Sequence, residues 1–292
     1  MLLVRFIRDA SARLEALYPP QEAGNLVLRL VQGRLGVPSY LHITEPDTPI
    51  PEERLPGLLR DLELLAGGTP LQYVLGVADF CGRRFRVDPR VLIPRPETEE
   101  LVAEAVRLVR ARSGGTRVLD LCTGSGCIAW SLALDCPGTD ALGVDLSKEA
   151  LCVARQQEFA IPAGALRPRF AQADILDPSF DAAALSGWSG AELIVSNPPY
   201  IMDKERAAMH PNVLKHEPAL ALFVPDSDPL RFYRALARIC ASFLVPGGAF
   251  VLEINEALGP ETAAVLQEAG LLQVEVLRDI FGKNRFVRGF HS

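Results

Sequence analysis

The segment LIVSNPPY, residues 193–200, decides the fold because it marks a buried strand that ends abruptly. Isoleucine and valine at its centre favour a β-strand. Pro198 and Pro199 then remove two backbone donors, so the strand cannot continue past Ser196. A residue before proline avoids the helical region, which holds Asn197 extended on a stiff turn at the carboxyl end of the strand. That edge of an open α/β sheet is where ligands bind.

Two hydrogen-bond acceptors meet at this turn, the side-chain amide oxygen of Asn197 and the backbone carbonyl of Pro198. Two acceptors aimed at one point suit a planar –NH2 group, which has two hydrogens to donate. Tyr200 adds a flat ring on which a planar amide or base could stack. A strand-ending proline turn with a buried tyrosine is the alternative, and the tetrapeptide alone does not exclude it.

A glycine-rich loop, DLCTGSG at residues 120–126, follows the first of several predicted strands. Its glycines allow a tight turn and a close approach of a ligand to the backbone. Asp145 follows about 20 residues later at the end of the next strand, where a carboxylate binds ribose hydroxyls. The loop also fits the G-x-G-x-x-A dinucleotide fingerprint and is by itself a weak discriminator. Asp120, however, would repel a pyrophosphate and would suit a cation such as the amino-acid end of S-adenosylmethionine.

Polar side chains stand at four predicted strand ends, namely Asp120, Asp145, Asp174 and Asn197. The carboxyl ends of parallel strands share the edge of the sheet where ligands bind. Each residue alone fits a solvated strand end, but the four together favour a binding site. We expect Asp174 to meet an adenine amino group there.

Composition is typical of a globular protein with two unequal domains, since 49% of the 292 residues are hydrophobic and 23% are charged. The net charge of −6 disfavours a nucleic-acid substrate, because nucleic-acid binders usually carry a basic surplus. No run of 18 apolar residues is present to span a membrane, and charged residues at positions 8 and 9 interrupt any secretory signal. Six cysteines without a Cys-x-x-Cys pair and four histidines without metal-ligand spacing predict reduced thiols, a cytoplasmic location and no metal.

Three regions follow from the hydrophobic pattern. Residues 1–77 are predicted to form a helical bundle. Residues 78–94 are predicted to form a β-hairpin that links the domains, with its turn at residues 88–90. Residues 95–292 alternate strands and helices, which predicts a mostly parallel sheet with helices on both faces. The strands are predicted at residues 118–121, 141–144, 170–175, 193–196, 249–254, 272–277 and 285–289.

The glycine loop resembles motif I of class I S-adenosylmethionine-dependent methyltransferases, and NPPY resembles the motif of enzymes that methylate adenine-N6, cytosine-N4 or glutamine-N5. Both parts of the chain are similar to the release factor glutamine methyltransferases, the PrmC or HemK family. Arg-Pro-x-Thr-Glu and Asn-Pro-Pro-Tyr-Ile are highly specific in combination. The segments that carry the resemblance are TPLQY (69–73), LIPRPETE (92–99), NPPYI (197–201), HEPAL (216–220) and PGG (246–248).

The resemblance implies a Rossmann-like, seven-stranded methyltransferase domain, preceded by a small helical substrate-recognition domain. It also implies methyl transfer from S-adenosylmethionine to the glutamine of the Gly-Gly-Gln motif in class 1 peptide chain release factors, which act in translation termination. Asn197 and Pro198 would be the catalytic residues, and Pro199 and Tyr200 would complete the substrate site. The cofactor site would comprise Asp120, Cys122, Thr123, Gly124, Ser125, Gly126, Asp145, Leu146, Asp174, Ile175 and Asn197.

Four positions depart from the family pattern. Cys122 stands where many members have glycine. Asn255 and Leu258 stand where the family often has glycine and glutamine. Ile175 replaces the aromatic ring that some members place beside adenine, so apolar packing would replace stacking.

Three other functions fit part of the sequence. An adenine-N6 nucleic-acid methyltransferase shares NPPY, but the acidic balance and the helical region favour a protein partner. An NAD-dependent dehydrogenase would explain the glycine loop and leave NPPY without a task. A non-catalytic cofactor-binding module, docked through the helical region, would have no need of Asn197.

Overall fold

The computed structural model describes residues 1–112 and 114–292. The chain divides into two compact units: unit 1 is Met1–Val77 with His210–His216, and unit 2 is Ala78–Met209 with Glu217–Ser292. The helices are α1 (Leu3–Leu14), α2 (Pro20–Leu35), α3 (Leu41–Thr44), α4 (Leu55–Ala66), α5 (Leu71–Leu75), α6 (Pro96–Arg110), α7 (Cys127–Asp135), α8 (Lys148–Arg155), α9 (Ala182–Ser186), α10 (Pro211–His216), α11 (Arg231–Phe243) and α12 (Gly259–Glu268). The strands are β1 (Val77–Phe80), β2 (Arg83–Arg86), β3 (Thr116–Leu121), β4 (Thr139–Asp145), β5 (Arg169–Gln172), β6 (Ala191–Ser196), β7 (Ile201–Met202), β8 (Phe223–Val224), β9 (Leu244–Glu253), β10 (Leu272–Arg278) and β11 (Asn284–Phe290).

Unit 1 is a bundle in which α1, α2, α4 and α5 bury their apolar faces against one another. Pro20 opens α2, where a missing N–H leaves no hydrogen bond unmade, and Gly36 ends that helix with a left-handed φ of 70°. The segment with α10 belongs to this bundle, although the sequence pattern assigned it to the strand-and-helix region. Its Asn212 side chain hydrogen-bonds the Tyr18 hydroxyl, and His210 stacks on the Tyr18 ring at 6.1 Å.

Unit 2 opens with a β-hairpin whose turn was predicted wrongly. Strands β1 and β2 pair through a turn at Cys81 and Gly82, which have φ angles of 47° and 68°. Positive φ at both central residues is the requirement of the tightest hairpin turn, and cysteine gives little sequence signal for it. The predicted turn at residues 88–90 is present, closed by the Val91 N–H donating to the Asp88 carbonyl at 3.1 Å and by the Asp88 side chain accepting from the backbone N–H of Arg90, but it does not join the two strands of the hairpin.

The central sheet has seven strands in the order β10-β11-β9-β6-β3-β4-β5. All neighbours among β9, β6, β3, β4 and β5 are parallel, and β11 is antiparallel to both strands beside it. Helices α6 and α7 pack on one face, and α11 and α12 pack on the other. The prediction of a mostly parallel α/β sheet of seven strands is therefore confirmed.

The predicted strand boundaries lie within two residues of the observed ones except at two places. Strand β5 ends at Gln172 rather than at residue 175, because the Asp174 carboxylate accepts a hydrogen bond from the Leu176 N–H and turns the chain. Strand β9 begins at Leu244, so Gly247 and its neighbour lie inside the strand rather than before it.

The register of the sheet places the two decisive motifs next to each other. Leu121, the last residue of β3, pairs with Ser196, the last residue of β6. The Ser196 hydroxyl also donates to the Leu121 carbonyl at 2.6 Å. The glycine loop and the NPPY turn consequently leave the sheet from adjacent positions. None of the helices in residues 1–112 and 114–292 combines the length and apolar character needed to cross a membrane.

Candidate active site

A cavity of about 290 Å³ opens within unit 2 at the carboxyl edge of the sheet. Seven of the eleven predicted cofactor residues line it: Cys122, Gly124, Asp145, Leu146, Asp174, Ile175 and Asn197. Pro199 lines it as well, whereas Pro198 and Tyr200 do not. The structure thus brings the ends of β3, β4, β5 and β6 together around one space.

The remaining predicted cofactor residues, Asp120, Thr123, Ser125 and Gly126, lie outside the cavity lining. Asp120 is completely buried beneath the loop, where one carboxylate oxygen accepts from the Thr123 hydroxyl at 2.5 Å and from the Ala129 N–H at 3.1 Å. These bonds tie the loop to the first turn of α7. Asp120 therefore shapes the loop, and its contact with a cationic ligand stays a prediction.

Burial raises the pKa of Asp120 to about 7, because a carboxylate loses its hydration there. Its two hydrogen-bond donors act in the opposite direction. Across the described part of the chain, no donor reaches its second oxygen, Oδ1. The loop consequently rests on a carboxyl group that is poised between its neutral and charged forms near neutral pH.

Asp145 shapes the glycine loop from the neighbouring strand. Its Oδ2 accepts from the Gly124 N–H at 2.8 Å, and its Oδ1 accepts from the Ser147 N–H at 2.9 Å. Burial also raises the pKa of Asp145. Cys122 adopts a φ of 60° in this loop, a left-handed conformation that favours glycine and accounts for the family preference at its position.

The lining fits the nucleoside part of S-adenosylmethionine. Asp145 supplies a half-buried carboxylate that can accept from ribose hydroxyls, and Asp174 supplies a second acceptor. Ile175, Leu176 and Phe232 form apolar walls against which a purine ring can pack. A side chain at Gly124 would meet no atom within 4 Å, so the loop leaves open space where a ligand approaches the backbone.

Asn197 is held in the lining by a buried chain of hydrogen bonds. Its Nδ2 donates to the Thr98 hydroxyl at 3.1 Å, and that hydroxyl donates to Glu253 Oε2 at 2.7 Å. The Tyr200 hydroxyl donates to the other oxygen, Glu253 Oε1, at 2.9 Å. Burial raises the pKa of Glu253, which is 1% exposed, and the Thr98 and Tyr200 donors oppose that shift. Tyr200 thus supports the site through its hydrogen bond to Glu253, and its ring does not line the cavity.

Thr98 and Glu253 were missed as site residues, although both left a signal in the sequence. Glu253 ends strand β9 and is a fifth polar residue at the same edge as the four that were identified. Thr98 lies in the Arg-Pro-x-Thr-Glu motif, whose acids had an adequate explanation as helix-start residues. Its partners are 99 and 155 residues away in the chain, so only the fold shows what it does.

The HEPAL segment lines the same cavity with Pro218 and Leu220, and Glu217 anchors the segment. This buried carboxylate accepts from the Arg95 guanidinium at 2.6 Å and from the Ile93 N–H at 3.2 Å. The bonds hold the start of the Arg-Pro-x-Thr-Glu motif against HEPAL. Residues from these and other unpredicted positions complete the lining: Arg90, Val91, Leu92, Val144, Ser147, Ala150, Ala173, Leu176, Pro218, Leu220, Ala221, Phe223, Arg231 and Phe232.

Comparison with known proteins gives relatives across the full length of the chain. The protein named release factor glutamine methyltransferase in Bacteroides thetaiotaomicron is 40% identical over 285 residues, which cover 98% of each chain. The chain belongs to the release factor glutamine methyltransferase family. The member of that name in Bacillus subtilis is 39% identical over 243 residues, covering 82% of this chain and 81% of its own. No protein-family model matches the chain.

A solved structure of the release-factor-specific protein-(glutamine-N5) methyltransferase from Alicyclobacillus acidocaldarius is 29% identical and covers 71% of this chain and 99% of its own, with a TM-score of 0.41. Membership of the release factor glutamine methyltransferase family rests on the sequence relatives above. This family membership confirms the resemblance and the prediction of a methyltransferase, and it does not favour the alternative of an adenine-N6 nucleic-acid methyltransferase.

Proposed function

We propose that this protein transfers a methyl group from S-adenosylmethionine to the side-chain amide nitrogen of the glutamine in the Gly-Gly-Gln motif of class 1 peptide chain release factors. One observation carries the proposal beyond family membership. Asn197 lines the cavity with its Nδ2 engaged by Thr98, and no donor among the described residues occupies its Oδ1. That oxygen is an acceptor available to a substrate –NH2 group.

The chemistry requires a nitrogen that is otherwise a poor nucleophile, because its lone pair is delocalised into the amide. Asn197 Oδ1 would accept one of the nitrogen's hydrogens, and we propose that the Pro198 carbonyl, although Pro198 is not part of the cavity lining, accepts the other. These two bonds would fix the nitrogen and increase its electron density. Positioning and electrostatics then supply most of the rate. The proton leaves after methyl transfer, so no general base is assigned. S-adenosylmethionine supplies the methyl group as an activated sulfonium.

The cofactor is assigned to the lining at the ends of β4 and β5. Asp145 would accept from the ribose hydroxyls and Asp174 from the adenine amino group, with Ile175 and Phe232 as apolar walls. Cys122, Gly124 and Leu146 would complete the contact. Asp120, Thr123, Ser125 and Gly126 would act through the shape of the loop and through the charge of Asp120.

Unit 1 is assigned the recognition of the release factor outside its Gly-Gly-Gln motif. The lining of the cavity belongs wholly to unit 2, so recognition outside the Gly-Gly-Gln motif would need a surface beyond the cavity. The proposal places the enzyme in the cytoplasm, where the free thiols of the six cysteines persist.

The decisive experiment mixes the protein with labelled S-adenosylmethionine and a class 1 release factor, with a Gly-Gly-Ala form of that factor as control. We expect transfer to the Gly-Gly-Gln form only. Asn197→Ala should abolish most turnover while cofactor binding, measured by calorimetry, is less affected. Unchanged turnover in that variant, or transfer to DNA or RNA in place of the release factor, would refute the proposal.

A further inference from the structure

Which end of the Asn197 amide faces the cavity matters for the proposed reaction. The oxygen and the –NH2 group of an asparagine are similar in size, and packing alone distinguishes them poorly. With the oxygen inward, Asn197 accepts a hydrogen from the substrate amide. With the –NH2 group inward, two donors would face each other and the substrate nitrogen would be turned away. The reaction therefore needs a device that selects one orientation.

The hydroxyl of Thr98 carries a single proton, and this proton is committed to Glu253 Oε2 at 2.7 Å. The Thr98 oxygen can then only accept at its remaining positions. It lies 3.1 Å from Asn197 Nδ2, so the asparagine must present its –NH2 group to Thr98 and its oxygen to the opposite side.

The direction of this chain of hydrogen bonds is set by the charge on Glu253. An ionised carboxylate only accepts, and its second oxygen is already bound to the Tyr200 hydroxyl at 2.9 Å. The Tyr233 hydroxyl fixes the backbone at the same residue by donating to the Glu253 carbonyl at 3.1 Å. Neither Thr98 nor Glu253 lies in the lining of the cavity. Burying a carboxylate almost completely costs folding free energy. Here the buried carboxylate lies behind Asn197 and fixes the hydrogen bonds that reach it through Thr98.

We infer that Thr98 and Glu253 are positioning residues that orient the Asn197 amide with its oxygen toward the substrate nitrogen. The inference deepens the proposed function and rests on it. Protonation of Glu253 at Oε2 would reverse the chain: that oxygen would donate to Thr98, and the Thr98 proton would turn toward Asn197. The amide would then be selected in the opposite orientation, and methyl transfer would slow.

The groups around Glu253 define how its charge responds to pH. Tyr200 and Tyr233 face it with hydroxyls, Arg285 stabilises its charge from β11, and Glu97 at the start of α6 destabilises it. Because burial raises the pKa of this carboxyl, its protonation at falling pH precedes that of an ordinary glutamate. The acid side of the pH profile of kcat should accordingly report on Glu253.

The test compares Thr98→Val, which keeps the shape and removes the hydroxyl, with Thr98→Ser, which keeps the hydroxyl. Thr98→Val should lower kcat on the release factor by about tenfold or more, the size of effect seen when one oriented donor or acceptor is lost. Its Kd for S-adenosylmethionine should stay within about twofold of the wild type, because Thr98 does not line the cavity. The loss of a direct contact with the cofactor would raise Kd by about tenfold, or about 1.4 kcal/mol. Thr98→Ser should retain most of kcat.

Glu253→Gln provides the second arm, and it keeps the volume of the side chain while removing its charge. Its amide cannot take up a proton in this pH range and its oxygen can still accept from Thr98, so its kcat should lack the acid limb of the wild type. Wild-type kcat in Thr98→Val, or an unchanged acid limb in Glu253→Gln, would overturn the inference. Equal losses in Thr98→Val and Thr98→Ser, or a loss that tracks cofactor binding, would also overturn it. Failure of the proposed function itself looks different, because the wild type would then not methylate the release factor.

Discussion

Asp120 sits at the base of the glycine loop with no exposure to solvent, and its carboxyl group joins the loop to α7. The cost of ionising a group in such a place is the reason that its pKa rises from 3.8 to about 7. By that shift, ionisation is less favourable in the folded than in the unfolded chain by about 4 kcal/mol. The buried carboxyl group therefore makes the stability of the loop depend on pH.

The sign of this dependence follows from proton binding. Between pH 4 and pH 7, roughly the window set by these pKa values, the folded chain holds a proton on Asp120 that the unfolded chain has lost, so stability falls as pH rises through that window. Asp120→Asn keeps an oxygen for Thr123 and Ala129 and cannot ionise. Thermal melting of the cofactor-free protein at both ends of the window should show a smaller fall for the variant. Parallel melting curves would contradict the assigned pKa.

At the scale of the element, strand β4 fixes the loop from the side through Gly143. A Cβ atom added at Gly143 would stand 2.6 Å from the Thr123 hydroxyl and 2.7 Å from the Phe170 ring. Distances this short force the neighbours apart, and overpacking of this kind costs about 1–3 kcal/mol. Asp145 follows two residues later on the same strand and would move with it.

Gly143→Ala should therefore lower both the melting temperature and the affinity for S-adenosylmethionine. Gly24→Ala is a matched control, because it adds the same methyl group inside α2 with no atom within 4 Å. Alanine is also the better helix former by about 0.5–1 kcal/mol, so this control should be as stable as the wild type or more so. Calorimetry with the cofactor checks both variants, and equal affinities would mean that β4 does not constrain the loop.

The positions of the site residues on strands and helices explain which of them could be predicted from the sequence. Asp145 and Asn197 were identified because a polar residue directly after an apolar run marks a strand end, and the parallel topology collects those ends. Phe232 could not be identified in this way, because it lies in the first turn of α11 and meets the cavity only through helix packing. The hairpin turn was misplaced because the first of its two left-handed residues is a cysteine, Cys81, and only the second, Gly82, is of a type that usually marks such a turn.

At the scale of the whole molecule, the chain passes between the two units three times, since His210–His216 belongs to unit 1 while the residues on either side of it belong to unit 2. This segment follows the NPPY turn and leads directly into Pro218 and Leu220 of the cavity lining. Sequence periodicity could not assign it to the bundle, because its anchors are a side-chain bond to Tyr18 and a ring stack rather than an apolar stripe.

The proposed role of unit 1 in recognising the release factor predicts how the enzyme treats a minimal substrate. A short Gly-Gly-Gln peptide can reach the cavity of unit 2 and offers nothing to unit 1, whereas an intact release factor can contact both. Binding energy from parts of a substrate remote from the reacting atoms supports orientation at the reacting centre, so its loss lowers kcat as well as raising KM. The peptide should consequently show a kcat/KM at least about a hundredfold lower, corresponding to about 3 kcal/mol.

Steady-state kinetics with the peptide and the intact factor measure this ratio, and Gly-Gly-Ala forms of both give the background. The Kd for S-adenosylmethionine, measured without either substrate, serves as an internal control, because the same enzyme with the same cavity lining is used in both assays. Equal kcat/KM values for the two substrates would mean that unit 1 contributes nothing to recognition. The expected result, methylation of both substrates at very different rates, would mean that the enzyme selects its substrate through contacts outside the cavity, because the reacting glutamine is the same in each.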